Sequence, residues 1–159
     1  MNRKFDLERR NALKAGGSVG LLALFAGLGL LHSGAALASG MTPAFAAKSM
    51  DEVLKAMGVI ELERSALIQL TVPEIAENGA VVPITVVSTL PGIEQISILV
   101  AKNPSPLAAS FTILPGTEGR VTTRVKMGGT SNVIALIKAD GKFYRSSKEV
   151  KVTAGGCGG

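Results

Sequence analysis

The strongest structural signal in this chain is a period of two. Between residues 120 and 127, Val121, Thr123, Val125 and Met127 fall on one side, and Arg120, Thr122, Arg124 and Lys126 on the other. That alternation belongs to a strand with one face buried and one in water. The same rhythm recurs along the chain. Residues 67–72 are β-branched and apolar. Residues 81–90 place Val82, Ile84, Val86 and Leu90 together, and Pro83, which has no N–H to give, makes this strand an edge or a bulged one. Ile96, Ile98 and Val100 align within 94–102, and Phe111 and Ile113 lie within 108–114. Residues 132–140 are apolar on both sides, Val133 and Ile137 against Ile134 and Leu136, so this strand is central or covered by a partner. Residues 142–153 form the last strand. Breakers separate the segments: Pro91-Gly92, Asn103-Pro104-Ser105-Pro106, Pro115-Gly116, Gly128-Gly129, and Asp140-Gly141, the last a hairpin signal. Seven short strands at regular spacing predict an all-β fold, an immunoglobulin-like antiparallel β-sandwich over residues 47–153. The intersheet Cys pair and the Trp of antibody domains are absent. A short N-terminal helix precedes the strands. Ser49 caps it with Glu52 three residues on, Val53, Leu54 and Met57 give it an apolar face, and Gly58 ends it.

Upstream of that helix the composition changes. Arg3, Lys4, Arg9, Arg10 and Lys14 make a cationic start, and residues 15–31 form an uncharged, Leu-, Ala- and Gly-rich run. Two small-x-small sites follow, Ala36-Leu37-Ala38 and Ala44-Phe45-Ala46. Charged, apolar, then cleavable is the order of an export signal. Five glycines and Ser18 in the apolar run disfavour a permanent span, which needs about 20 apolar residues. Residues 1–46 are therefore read as a removable leader, cut after Ala46 because that leaves the polar start Ala47-Lys48-Ser49. Arg9-Arg10 followed by Leu13-Lys14 resembles a twin-arginine signal, with Glu8 and Ala12 where that pattern usually has a hydroxyl residue and a large apolar one. The expected destination is the periplasm, with no stable membrane association.

The leader carries most of the excess charge. The whole chain is formally +5, but beyond residue 46 it holds 12 basic and 10 acidic residues. Its basicity is thus no argument for nucleic acid, and too few rings remain for a base-stacking surface. The sole histidine, His32, lies in the leader. Without it, no Ser-His-Asp, Cys-His or histidine-metal arrangement can be built beyond residue 46, so no cofactor and no metal is expected.

The chain ends Gly155-Gly156-Cys157-Gly158-Gly159, and Cys157 is its only cysteine. At average glycine usage of about 7%, four glycines at specified places arise by chance roughly twice in 100,000 trials, which argues against coincidence. Glycine has no side chain and few conformational limits, so residues 154–159 read as a thin, mobile arm. Residues 154–157 extended reach about 13–14 Å, at roughly 3.3–3.6 Å each. Such an arm can carry a sulfur atom into a narrow channel of another protein. No base accompanies the thiol, whose pKa is expected near the free value of about 8.5. Cys157 therefore reads as an attachment point activated by partners. Two other readings stay open. In one, Cys157 serves a thiol-dependent sulfurtransferase or redox enzyme, which the lack of a second Cys and of a base opposes. In the other, the sandwich is a binding module that pairs through 132–140, with an incidental tail.

The leader, the small sandwich and the terminal Gly-Gly-Cys-Gly-Gly together resemble the SoxY family, the substrate-carrying subunits of the periplasmic thiosulfate-oxidising (Sox) system. Residues 72–79, Val-Pro-Glu-Ile-Ala-Glu-Asn-Gly, followed by Val82-Pro83-Ile84, are also similar to that family's first strands. The resemblance implies a protein that is not itself an enzyme. It implies sulfur intermediates held covalently on Cys157, with Gly155, Gly156, Gly158 and Gly159 as the flexible arm. It further implies a heterodimer with a SoxZ-like sandwich subunit. A c-type cytochrome complex would conjugate thiosulfate, a hydrolase would release sulfate, and in some organisms a sulfur dehydrogenase would oxidise the remaining sulfane.

Overall fold

The structure is a computed structural model that describes residues 41–153. Arg9 and Arg10, and the terminal Gly155, Gly156, Cys157, Gly158 and Gly159, lie outside the described residues. No helix among the described residues is long and apolar enough to cross a membrane.

Among the described residues two short helices come first, α1 (Thr42–Ala46) and α2 (Met50–Ala56). The sequence reading foresaw α2 and its ends. The Ser49 hydroxyl accepts the Glu52 N–H at 3.2 Å, and the Glu52 carboxylate accepts the Lys48 N–H at 2.8 Å, one residue earlier than in the usual reciprocal cap. At the other end the Gly58 and Val59 N–H groups bond back to the carbonyls of Lys55 and Leu54, with Gly58 at φ +73°. This left-handed closure satisfies the last carbonyls of the helix. The sequence reading missed α1, whose residues it had assigned to the leader.

Nine strands follow: β1 (Leu62–Arg64), β2 (Ile68–Thr71), β3 (Ile75–Ala76), β4 (Val82–Ser88), β5 (Ile93–Val100), β6 (Leu107–Thr112), β7 (Arg120–Val125), β8 (Ser131–Ala139) and β9 (Lys142–Val152). They form two sheets. The larger runs β1-β9-β8-β5-β6, with β3 also on β9; the smaller runs β2-β4-β7. Seven strands are those the alternation foresaw, and their pairings are antiparallel. The two additions, β1 and β3, pair with β9 in parallel. They are only 3 and 2 residues long, too short to show a period. The chain pairs with residues 143–145 of the β9 edge as β1, crosses to the small sheet as β2, and returns to pair with residues 151 and 152 as β3. An otherwise open edge is thereby paired at its two ends.

The core lies between the sheets. Ile68, Leu70, Val82, Ile84, Val86, Val121 and Val125 from the smaller sheet meet Ile96, Ile98, Val100, Val133, Ala135 and Ile137 from the larger. Pro83 lies on β4, the middle strand of the smaller sheet, which differs from the expected edge or bulge. The register explains how it is accommodated. β2 reaches along β4 only as far as Thr85, while Pro83 faces Arg124 of β7 alone. Pro83 thus sits at a local edge of a central strand, where the missing N–H breaks no ladder.

β8 is central, between β9 and β5, and its second apolar face is covered by the chain itself. Leu99, Leu107, Ile134, Leu136 and Phe143 pack there with Ala44, Ala47 and Val53 of the helical segment. This covering accounts for the apolar residues on which the binding-module reading rested. The β8–β9 hairpin closes through Asp140 (φ 48°) and Gly141 (φ 74°), the two consecutive left-handed residues that an Asp-Gly pair adopts in a two-residue turn.

Candidate functional site

The described chain stops at Thr153, four residues before Cys157. What can be built from residues upward is the root of the terminal segment, and that root is held from three sides. β3 runs alongside, with Ile75 opposite Lys151 and Ala76 opposite Val152. The Lys151 N–H donates to the Glu74 carbonyl at 2.9 Å, and the Thr153 N–H donates to the Ala76 carbonyl at 3.2 Å. From the other side the Val152 N–H donates to the Thr130 hydroxyl at 3.0 Å. Three successive backbone donors, 151 to 153, are therefore fixed up to the last described residue.

The third contact is a close approach at Gly79. Asn78 caps the single 3₁₀ turn Gly79–Val81 by accepting the Ala80 N–H at 2.9 Å. This presents the Gly79 carbonyl to the Met127 N–H at 2.7 Å. A Cβ on Gly79 would lie 2.6 Å from the Met127 carbonyl oxygen and 2.9 Å from Val152 Cγ1. Only glycine lets these three segments meet, and its φ is not unusual, so the requirement is steric rather than conformational. The following turn is braced by Asn103, which donates to the Lys126 carbonyl at 2.7 Å and accepts the Gly128 N–H at 3.0 Å.

The sequence reading quoted residues 72–79 for their likeness to a family's first strands, with no role attached. In the fold this stretch is the clamp on the end of β9: Val72 packs against the core, Glu74 and Ala76 bond β9, and Asn78 and Gly79 seat the turn. The signal that could have revealed it is Gly79, which follows a capping Asn and has no turn that demands it. Ile75 (58% exposed) and Val81 (51%) put two large apolar side chains in solvent beside the root.

Among the described residues no three His, Cys, Asp or Glu side chains converge as a metal site would require. Glu94 has a displaced titration. The Lys138 ammonium 2.6 Å away, and secondarily the Gly141 N–H at 2.9 Å, hold it below the ordinary carboxylate value. It stands at the Asp140-Gly141 end of β9, along the strand from the root.

The described fold is an immunoglobulin-like sandwich whose last strand delivers the chain, clamped, to a terminal segment bearing one cysteine. The model of the sulfur oxidation protein SoxY family matches residues 54–157, a span that runs from α2 through the whole sandwich to Cys157. The chain belongs to the SoxY family, and it is a sulfur carrier protein of the Sox system. Among solved structures it is similar to the sulfur carrier protein SoxY from Chlorobium limicola f thiosulfatophilum, with 44% identity and a TM-score of 0.59 over 65% of this chain and 94% of that one. A superoxide reductase (neelaredoxin) from Ignicoccus hospitalis is also similar, at 18% identity and a TM-score of 0.49 over 54% of this chain and 80% of that one. No curated protein sequence matches the chain.

Proposed function

We propose that the chain carries sulfur intermediates of thiosulfate oxidation covalently on the Cys157 thiol, at the end of a swinging arm rooted at Thr153, and is not itself an enzyme. The observation that supports this most is the clamp at 151–153. It fixes the arm's origin against three segments, while everything beyond Ala154 except the cysteine is glycine. A fixed origin and a short tether keep the bound intermediate at high local concentration in each docked enzyme, and glycine backbone suits several unrelated channels.

The chemistry balances without a cofactor on this chain. The Cys157 thiolate and the outer sulfur of thiosulfate join into a disulfide-like S–S bond, giving Cys–S–S–SO₃⁻ and two electrons. A partner c-type cytochrome complex accepts those electrons. A partner hydrolase then adds one water, releasing sulfate and two protons and leaving Cys–S–S⁻. A sulfur dehydrogenase, where present, would oxidise that sulfane. Pairing with a SoxZ-like subunit and residence in the periplasm, reached by a twin-arginine-like leader through Arg9 and Arg10, belong to the same proposal.

The test is intact mass after incubation with thiosulfate and the conjugating cytochrome complex. Wild-type protein gains a thiosulfate-derived adduct that maps to Cys157. Cys157→Ser gains none while unfolding within about 0.5 kcal/mol of wild type, as a substitution outside the packed domain should. An adduct on the Ser variant, or turnover of thiosulfate by the isolated protein, overturns the proposal.

A further inference from the structure

We infer that the leader is cut after Ala38, at Ala36-Leu37-Ala38, and that the segment from Met41 to Ala46 belongs to the mature domain. The inference rests on the export-signal reading above. The small-x-small pattern alone permits two cuts, and the polar residues after Ala46 favour the second. The fold favours the first. The compact unit begins at Met41. Ala44, the residue a cut after Ala46 would need three places before the scissile bond, is 0% exposed and lies within α1. It packs with Val53, Leu99, Leu107 and Leu136 against the outer face of the larger sheet. Met41 packs on the same cluster, and its sulfur accepts the Gln95 side-chain N–H at 3.6 Å.

A signal peptidase reads small side chains at alternate positions of an extended chain. A helical Ala44 buried under a helix-covered sheet cannot be presented that way unless the segment first unfolds. This matters most if the chain crosses the membrane already folded, as a twin-arginine route implies. The product of the second cut is also unfavourable. It lacks Ala44 and Met41, so part of the apolar face they cover is left open to water. Spacing agrees. The apolar run ends at Leu31; Ala38 lies seven residues beyond it and Ala46 fifteen. Leaders of this kind usually total about 15–30 residues, so the earlier cut departs less.

The reaction is hydrolysis by a membrane-bound signal peptidase. One water adds across the Ala38–Ser39 peptide bond, leaving a carboxylate on Ala38 and an ammonium on Ser39, with no electron transfer. The test is intact mass and N-terminal sequencing of the full-length chain expressed in a bacterium with a twin-arginine translocase and fractionated into cytoplasm and periplasm. The expected periplasmic product begins at Ser39. A product beginning at Ala47 overturns the inference and leaves export intact. A full-length chain confined to the cytoplasm overturns the export reading, and the inference with it. In a second measurement, Ala38→Leu should slow processing at least tenfold and accumulate precursor. A product beginning at Ala47 at the wild-type rate would contradict the inference.

Discussion

The two ends of β9 are built for opposite purposes. At Lys142 the strand begins in a two-residue Asp-Gly turn with both residues left-handed, braced by the Glu94–Lys138 pair and the Gly141 N–H on Glu94. At Val152 it ends in a junction assembled from parts far apart in sequence: Glu74 and Ala76 of one crossing, Gly79 of a 3₁₀ turn, and Thr130 of the β7–β8 connection. The first end is a two-residue hairpin turn that one neighbouring segment, through Gly92 and Glu94, braces. The second spends long-range contacts on fixing where the chain leaves the domain. The difference teaches that the sandwich fixes where its last strand leaves it, as the proposed carriage on a tethered thiol would require.

Substitutions at the two ends should separate these purposes. The largest effect is expected from Gly79→Val. Its Cβ meets backbone rather than a yielding side chain at 2.6 Å, so the three segments must part. A stability loss of about 1–3 kcal/mol is expected, as for other forced overpacking. Adduct formation per folded molecule should fall as well, because the root moves. Urea unfolding and intact mass measure the two effects. Gly141→Ala, at φ 74°, should cost about 1–2 kcal/mol of stability, the usual penalty for a left-handed side chain. Its adduct yield per folded molecule should equal wild type, because the opposite end is untouched. Equal loss of carrying in both variants would show that the contrast between the ends is only one of stability.

The smallest effect concerns pH. Glu94 has its folded-state pKa lowered by Lys138 and by Gly141, so its contribution is present above the ordinary carboxylate value and is lost as pH falls through the lowered value. Thermal unfolding of wild type should weaken over that acid window. Glu94→Gln should flatten the dependence slightly while leaving carrying unchanged. The group is exposed, so the change is a small one in Tm.

Much of this was legible in the chain. Strands β2 and β4 to β9 follow from alternation and turn residues, because burial of one face imposes the period directly. The thiol on its glycine tail is visible because glycine and cysteine are individually informative. What alternation could not disclose are the short pieces. β1 and β3 have too few residues for a period, and their pairing with β9 is set by the sheet-to-sheet crossing of the chain. Helix α1 stayed hidden because Ala44-Phe45-Ala46 fits a protease as well as it fits a packed helix. The double-sided apolar pattern of 132–140 told correctly of two buried faces. Whether a partner or the chain's own helices covered the second face depends on Ala44, Ala47 and Val53 reaching it, a tertiary fact.

The proposed swinging arm requires a rigid root and a mobile, cysteine-bearing tip, and backbone ¹⁵N relaxation of the reduced protein measures both residue by residue. The account predicts order parameters near 0.85 through Lys151, Val152 and Thr153, matching those of Ala76 and Met127, and values below about 0.6 from Gly155 onward. Order that persists undiminished to Cys157, or fraying that already begins at Lys148, would contradict it.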